Sequence, residues 1–371
     1  MSSKLPTIWK AEPHTIAKIE MLRSYLFVWF SILGREFKGK DLWYIDGFAG
    51  PGTYTNYNQG SPIAALESAS EAINSASAWN AGNVHCVFIE NDKARFRHLE
   101  RKLEEIPSER RVHRHPFLGT FVDGIAHLQQ QSTNPFRASD PVFAFIDPFG
   151  PAEMSFSAVR ELLSRPGCEV LVNLDSDGVS RIYSAGASAN HMKLLDDVFG
   201  DSEWKEVLAG CDQLQAVRKV VSLYKNKLRA IPGVNYSFEF EMRKQNDVFD
   251  YHLVFASQHP RGLEKMKEVM KKIDKSGSYC FSDSTGGQQF LFQFDDPAEH
   301  ANKLLVRFQG TGAPYKDVHD YALNESPFPN PKSMLKVLEN SGKVSVQCAT
   351  RRRAGQYPEH AQPSMVINFQ N

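Results

Sequence analysis

The residues best suited to hold a ligand lie in a glycine-rich turn that follows a short apolar segment, Leu42–Asp46. The turn consists of Asp46, Gly47, Phe48, Ala49, Gly50, Pro51 and Gly52. Glycines let the backbone approach a ligand closely, and a carboxylate at a strand end can hold a cationic group. The turn therefore predicts either a ligand site or a plain structural loop.

The glycine spacing separates the ligands that such a turn could hold. A dinucleotide fingerprint needs Gly-x-Gly-x-x-Gly, whereas Gly47, Gly50 and Gly52 give Gly-x-x-Gly-x-Gly. No Gly-Lys-Ser or Gly-Lys-Thr follows, which argues against a phosphate-binding loop. S-adenosyl-L-methionine (SAM) carries no phosphate. It needs close backbone contact and a carboxylate for its ammonium or sulfonium charge, and Asp46 is placed for that role.

A second acidic residue follows one β-α-β unit later. Glu90 ends the apolar segment His85–Glu90, and an acid at a strand tip can accept hydrogen bonds from both hydroxyls of a ribose. The alternative is that Glu90 caps the helix that follows. Asp92 fits that cap better, which leaves Glu90 for the ribose. The two acidic positions together favour a nucleoside cofactor.

A third strand end carries Asp147, Pro148, Phe149 and Gly150. Its tip is expected beside the first strand, where ligands bind in doubly wound sheets. A strand-terminal Asp-Pro is also a common turn. In the functional interpretation, Asp147 and the Pro148 carbonyl accept the two N–H groups of an exocyclic base amine and so localise its lone pair. Phe149 could stack on the base, and Gly150 would leave room for it.

Short apolar segments alternate with helical patterns along most of the chain. This alternation predicts an α/β fold with a doubly wound, Rossmann-like parallel sheet. We expect an N-terminal helical segment over residues 1–40, a sheet domain over 41–300 and a helical insertion at about 185–230. The expected strands are Leu42–Asp46, His85–Glu90, Val112–Pro116, Phe143–Asp147, Glu169–Leu174, Tyr236–Met242 and Tyr251–Ala256. Lysines 265, 267, 271 and 272 on the helix after the last strand are interpreted as a solvated face.

Residues 301–371 show a different pattern. Helices are expected over Lys316–Ala322 and Pro331–Asn340, followed by strands over Val344–Gln347 and Met365–Phe369. Helix, helix, strand, turn, strand is the pattern of a winged helix. Such folds bind nucleic acid or dock proteins. Its candidate phosphate contacts are Lys332, Lys336, Arg351, Arg352 and Arg353.

The motifs together resemble the three-Cys-motif partner (TcmP) family. The resemblance rests on residues 44–52, 60–62, 88–90, 146–150 and 252–257 and on the basic tail at 351–353. It implies a class I SAM-dependent methyltransferase fold and a partner protein that carries three cysteines and itself resembles radical-SAM proteins. In related enzymes a segment before the glycine-rich turn closes over the methionine end of SAM. His14, Thr15 and Lys18 would lie there, or would form a solvated helix start.

The form of the Asp147–Gly150 motif bears on which base the enzyme would methylate. Asp147–Gly150 departs from the Asp-Pro-Pro-aromatic motif of adenine and cytosine amino methyltransferases and is closer to the Asp-Pro-Phe-Gly of enzymes that methylate guanine N2 in transfer RNA. The leading hypothesis is methyl transfer to an exocyclic amine of DNA or RNA. The alternative is a non-catalytic protein of the same fold that presents nucleic acid to the three-cysteine partner.

Composition excludes several other classes of protein. Basic and acidic residues balance at 43 each, so nucleic-acid binding requires a local basic face. The longest apolar run, Tyr25–Phe30, is too short to cross a membrane, and no secretory signal is evident. Five scattered cysteines without a Cys-x-x-Cys pair, and histidines without metal-ligand spacing, predict a cytoplasmic protein with no metal site.

Overall fold

The computed structural model describes residues 6–186, 188–245, 248–274, 276–284 and 296–370. They fall into two compact units. The first unit contains the described residues up to 258 together with 281–284, and the second contains 259–280 and 296–370. The sequence placed boundaries near residues 40 and 300, and those boundaries stay predictions.

The described strands of the first unit form one large sheet with the order β3-β2-β1-β4-β5-β7-β6-β8. Strands β1 to β5 are parallel, whereas β7 is antiparallel to both β5 and β6. The order reverses between β1 and β4, which defines a doubly wound sheet and confirms the predicted Rossmann-like fold. The strands are β1 (Leu42–Asp46), β2 (Val84–Glu90), β3 (Val112–Leu118), β4 (Val142–Ile146), β5 (Cys168–Leu174), β6 (Tyr236–Arg243), β7 (Phe249–Ser257) and β8 (Cys280–Ser282).

Helices cover the sheet, so every residue of β1, β2 and β4 is buried. This burial explains why these strands are apolar at consecutive positions rather than at alternate ones. The helices of this unit are α1 (Pro13–Glu36), α2 (Ser61–Ser75), α3 (Lys93–Glu105), α4 (Phe121–Gln130), α5 (Pro135–Ala138), α6 (Phe156–Leu163), α7 (Ser176–Ser184), α8 (Ala189–Phe199), α9 (Trp204–Leu208) and α10 (Gln213–Arg229). The last four form the predicted helical insertion, which begins earlier than expected, directly after β5.

The second unit contains helices packed on a small antiparallel sheet with the order β10-β11-β9. Its elements are α11 (Pro260–Ile273), α12 (Pro297–Phe308), β9 (Gly312–Pro314), α13 (Tyr315–Glu325), α14 (Lys332–Asn340), β10 (Val344–Gln347) and β11 (Val366–Phe369). The expected sequence of helix, helix, strand, turn and strand is present from α13 onwards. Neither α12 nor β9 was predicted from the sequence.

One lysine of α11 corrects the expectation of a solvated face. Lys267 is fully buried, and its ammonium donates hydrogen bonds to the backbone carbonyls of Ser326 and Phe328. Ser326 is the C-cap of α13. A cation at a helix C-terminus satisfies carbonyls that have no partner within the helix, so Lys267 stabilises the end of α13.

Candidate functional site

The glycine-rich turn is fixed by hydrogen bonds from its backbone to neighbouring strands. The N–H of Gly47 donates to Phe145 of β4, and the N–H of Ala49 donates to Ile89 of β2. Gly50 and Gly52 have φ angles of 62° and 81°, in the left-handed region that favours glycine. The turn therefore lies at the switch point between β1 and β4 with its conformation determined by glycine.

Asp46 lies beneath this turn. Its carboxylate is fully buried and accepts hydrogen bonds from the Tyr44 hydroxyl (3.2 Å) and the Phe48 N–H (3.3 Å). Burial raises the pKa of Asp46 from 3.8 to about 7, although hydrogen bonds from Ser61 and Phe48 lower it. In this structure Asp46 organises the turn. Its role as a ligand for the positive charge of SAM stays a prediction.

Two cavities adjoin the turn. Cavity A, of about 430 Å³, is lined by Gly47, Phe48, Glu90, Thr120, Phe149 and Met154 among others. Cavity B, of about 280 Å³, is lined among others by Lys18, Gly50, Tyr54, Asp147, Asn173 and Tyr251. Ala49 and Gly52 also border cavity B, whereas Phe48 and Phe149 border both. An elongated ligand could occupy both cavities by passing these two rings.

Glu90 is buried at the border of cavity A. Its Oε1 accepts hydrogen bonds from the Asp92 N–H (2.7 Å) and from Arg95 Nε (3.0 Å). Within the described residues Oε2 receives no hydrogen bond, and the Glu90 side chain is 1% exposed where it borders the cavity. The Asp92 side chain accepts hydrogen bonds from backbone N–H groups in the first turn of α3. This confirms that Asp92, and not Glu90, is the N-cap of the helix.

Asp147 borders cavity B with both carboxylate oxygens engaged. Lys18 Nζ donates to Oδ2 at 2.5 Å, and Asn173 Nδ2 donates to Oδ1 at 2.5 Å. Lys18 was expected near the methionine end of SAM; it reaches the same cavity from α1 but forms an ion pair with Asp147. Asn173 was not predicted from the sequence, although a polar residue near the end of an otherwise apolar strand was a usable signal.

Phe149 is 45% exposed and lies between the two cavities. The Arg95 guanidinium lies 4.7 Å from its ring centre, and the Trp9 ring contacts it in a T-shaped arrangement with 5.5 Å between the ring centroids. Pro148 borders cavity B beside it. Apart from its chain neighbours, a Cβ atom on Gly150 would meet nothing within 4 Å, so there is open space at Gly150. The ring is therefore accessible to a planar group.

Trp9 precedes α1 and was not predicted from the sequence as a site residue. The Asn56 side chain accepts from the Ala11 N–H and donates to the Ala11 carbonyl, while the Thr55 N–H donates to the Trp9 carbonyl. Trp9 also contacts Tyr54 edge to face at 5.7 Å. Since these rings border cavity B, the segment before α1 closes one side of it.

His14 and Thr15 lie on the same wall of cavity B. The His14 ring is held between two carboxylates, at 2.7 Å from Asp283 and 3.6 Å from Asp250. His14 is buried, so the start of α1 is not solvated at this position. The alternative of a solvated helix start is therefore wrong for His14.

In the second unit, the predicted phosphate contacts divide into two kinds. Arg351 and Arg353 are exposed, whereas the Arg352 side chain is only 8% exposed and forms an ion pair with Glu339 of α14. Burial tends to raise the pKa of Glu339, but hydrogen bonds led by that from Arg352 hold it below its ordinary value. Lys336 is exposed and Lys332 half-buried on α14, and the aliphatic part of Lys336 lies beside Gly355.

The histidines do not form a metal site in the part of the chain that the structure describes, where no group of three or more His, Cys, Asp or Glu residues is arranged to hold an ion. His85 stacks on Trp43 at 4.1 Å and contacts His115 at 2.9 Å. Burial, with smaller contributions from neighbouring histidines, lowers the pKa of His115 to about 4. Among the described helices, none is long and apolar enough to cross a membrane.

No protein-family model matches the chain, and no curated protein matches it. Among solved structures it is similar to an O-methyltransferase from Bacillus cereus in complex with SAH, with a TM-score of 0.33 and 15% identity over 63% of this chain and 79% of that one. It is also similar to the O-methyltransferase TomG from Streptomyces achromogenes in complex with SAM, with a TM-score of 0.32 and 16% identity over 67% and 90%.

A third similar structure is Trm1 from Pyrococcus horikoshii with S-adenosyl-L-methionine, with a TM-score of 0.35 and 9% identity over 73% of this chain and 62% of that one. Similarities of this size carry no argument about the chemistry of the chain. The case for its function therefore rests on the geometry of the site.

Proposed function

We propose that the chain is a SAM-dependent methyltransferase that transfers a methyl group to an exocyclic amine of a DNA or RNA base. The observation that carries this proposal is the arrangement of the two cavities. Glu90 borders cavity A, Asp147 borders cavity B, and the glycine-rich turn lies between them at the switch point of the sheet. Ligands of doubly wound sheets bind at such a switch point.

In this proposal the adenosine part of SAM occupies cavity A and its methionine part extends into cavity B. Glu90 accepts hydrogen bonds from the ribose through Oε2, which receives none from the described residues, and the backbone from Gly47 to Gly52 borders the remainder of the cofactor. SAM supplies the methyl group. Direct transfer needs no covalent intermediate with the protein, so the chain contributes positioning and exclusion of water.

The acceptor would enter cavity B between aromatic side chains. Trp9, Tyr54 and Phe149 provide ring surfaces that suit a planar base, and such surfaces stack on any base. A base inside a duplex cannot reach this cavity, so the substrate is single-stranded or flipped out. Asp147 and the Pro148 carbonyl would accept the N–H groups of the amine. Each carboxylate oxygen retains a lone pair beyond the one used by Lys18 or Asn173.

The second unit would hold the substrate backbone. Its order of elements supports the winged-helix assignment, and Lys332, Lys336, Arg351 and Arg353 provide cations on one helix and in the turn after β10. Phosphate contacts of this kind position a substrate without reading its sequence. The family resemblance adds a radical-SAM-like protein with a three-cysteine motif as the partner of the reaction.

One observation favours a second candidate function. Both oxygens of Asp147 already receive short hydrogen bonds, as in a structural ion pair. A non-catalytic protein that presents nucleic acid to the three-cysteine partner would require SAM binding at most, and no transfer.

The deciding experiment incubates the chain, alone and with its partner, with methyl-labelled SAM and mixed DNA and RNA. We expect label in one nucleoside, carried on an exocyclic nitrogen, and no label with Asp147→Ala. SAM binding without transfer under all conditions would favour the presenting role. A wild-type chain that fails to bind SAM in calorimetry would contradict the methyltransferase proposal.

A further inference from the structure

The side chain of Arg95 connects the ribose-side carboxylate to the aromatic residue of the loop after β4. Its Nε donates to Glu90 at 3.0 Å, its Nη2 donates to Asn91 at 3.3 Å, and its guanidinium lies 4.7 Å from the centre of the Phe149 ring. Arg95 is buried in the first turn of α3. One buried cation therefore contacts residues that border both cavities.

The contacts of Arg95 with Glu90 and with Phe149 are both energetically significant. A buried carboxylate such as Glu90 requires a hydrogen-bonded counter-charge, because transferring an isolated charge out of water is strongly unfavourable. A guanidinium within about 6 Å of an aromatic ring is attracted to the ring face, and this attraction grows when the pair is desolvated. Arg95 cannot leave one partner without changing its contact with the other.

Phe149 depends on Arg95 for its position. Its ring is 45% exposed, and there is open space beside Gly150. The Trp9 and Phe149 ring centroids are 5.5 Å apart with 70° between the ring planes, whereas the Arg95 guanidinium lies over the Phe149 ring at 4.7 Å. Close packing on all sides does not hold the ring, so the cation is the group best placed to hold it between the cavities.

We infer that Arg95 is a positioning residue that couples occupancy of the ribose site to the placement of Phe149. The inference rests on the proposed function. When ribose hydroxyls bind Glu90, they fix the carboxylate, the carboxylate fixes Arg95, and Arg95 fixes the ring on which the acceptor stacks. When the cofactor has already ordered the Phe149 ring, binding of the acceptor costs less conformational entropy. Cofactor and acceptor therefore bind with positive cooperativity.

A double-mutant cycle on the affinity for S-adenosylhomocysteine (SAH) tests the coupling. Arg95→Gln keeps an N–H donor for Glu90 but removes the cation, and Phe149→Leu keeps apolar bulk but removes the ring. We expect each single variant to bind SAH about fivefold more weakly than the wild type. The double variant should also bind about fivefold more weakly, and not with a loss equal to the product of the two single losses. Arg97→Gln is the matched control, since Arg97 is exposed two positions along the same helix.

A conservative variant distinguishes positioning from mere structural support. Arg95→Lys keeps the cation and should restore most of the SAH affinity that Arg95→Gln removes. Losses that simply multiply in the double variant would overturn the coupling. So would an Arg95→Lys variant that binds SAH as weakly as Arg95→Gln and melts at the same lowered temperature. If the wild-type chain binds no SAH, the proposed function fails and this inference fails with it.

Discussion

Asn173 donates a hydrogen bond to Asp147 across the ends of two neighbouring parallel strands, with 2.5 Å between Nδ2 and Oδ1. The register of β4 and β5 places Ile146 opposite Val172, so the residues that follow are level with each other. The amide cannot be flipped, because its oxygen would then face the carboxylate oxygen. Its own Oδ1 is buried and has no hydrogen-bond partner among the described residues. Asn173 therefore fixes the carboxylate in one orientation.

This relationship predicts different effects on turnover and on cofactor binding. Asp147→Ala should abolish transfer, and Asn173→Ala should lower kcat by about 10- to 100-fold, the equivalent of losing one hydrogen bond to a charged group. Both variants should bind SAH nearly as well as the wild type does. Single-turnover rates and calorimetry measure the two quantities. Normal turnover in Asp147→Ala would remove Asp147 from the reaction.

A stability control accompanies these variants, because Asp147→Ala leaves the buried Lys18 ammonium without its counter-charge. We expect a lower melting temperature for Asp147→Ala and partial recovery in Asp147→Ala combined with Lys18→Met. Activity should not recover in the double variant. Recovery of activity would show that the first loss came from misfolding alone.

The ribose assignment predicts that Glu90→Gln weakens SAH binding by about 1.5–3 kcal/mol, the range for a hydrogen bond to a charged group. Glu100→Gln is the control, because Glu100 is exposed on α3, the helix that follows β2. Calorimetry measures both affinities, and thermal melting checks that each variant is folded. Equal SAH affinity in Glu90→Gln and the wild type would exclude Glu90 from the cofactor site.

The raised pKa of Asp46 predicts a pH dependence of stability. Between about pH 4 and pH 7 the unfolded chain releases this proton while the folded chain retains it, so stability falls as pH rises through that window. Asp46→Asn resembles the protonated form and cannot lose the proton. Its urea midpoint should rise relative to that of the wild type between pH 5 and pH 8. Buried Glu169 also has a raised pKa, but it is present in both proteins and cancels in the comparison.

The three arginines of the C-terminal turn predict two separate outcomes. Arg351→Ala with Arg353→Ala should leave the melting temperature unchanged and flatten the salt dependence of nucleic-acid binding by about 0.7–0.9 in log–log slope for each phosphate that is no longer neutralised. Arg352→Ala should instead lower the free energy of unfolding by about 3 kcal/mol, since it leaves the Glu339 carboxylate without its counter-charge. An unchanged salt slope in the folded double variant would favour protein docking over phosphate binding.

Local signals predicted much of the fold. Apolar runs between glycine-rich turns located β1, β2, β4 and β5 to within a residue or two at each end, because fully buried strands require apolar residues at every position. The helix α12 and the three-residue strand β9 were missed. So short a strand is defined by its partner, β11, and carries almost no pattern of its own.

The sequence located candidate site residues only where their placement follows from position along one segment. Asp147 and Glu90 are at strand ends, and both border a cavity. The pairings between distant residues could not be predicted, because they depend on how separate segments meet. Lys18 reaches Asp147 from α1, and Trp9 closes cavity B from the segment before that helix. Arg352 was grouped with its neighbours, although its partner Glu339 lies in another element.

The hydrogen bonds between His14 and Asp283 have a consequence for the biosynthesis of the protein. Asp283 accepts from both the backbone N–H and the ring of His14, 269 residues earlier, and Glu12 makes no side-chain cap at the start of α1. At ribosomal rates of about 5–20 residues per second, α1 emerges roughly 15–50 s before the carboxylate that caps it. A nascent chain can pair its central strands during that interval, but the wall of cavity B that carries His14 is completed only late in translation.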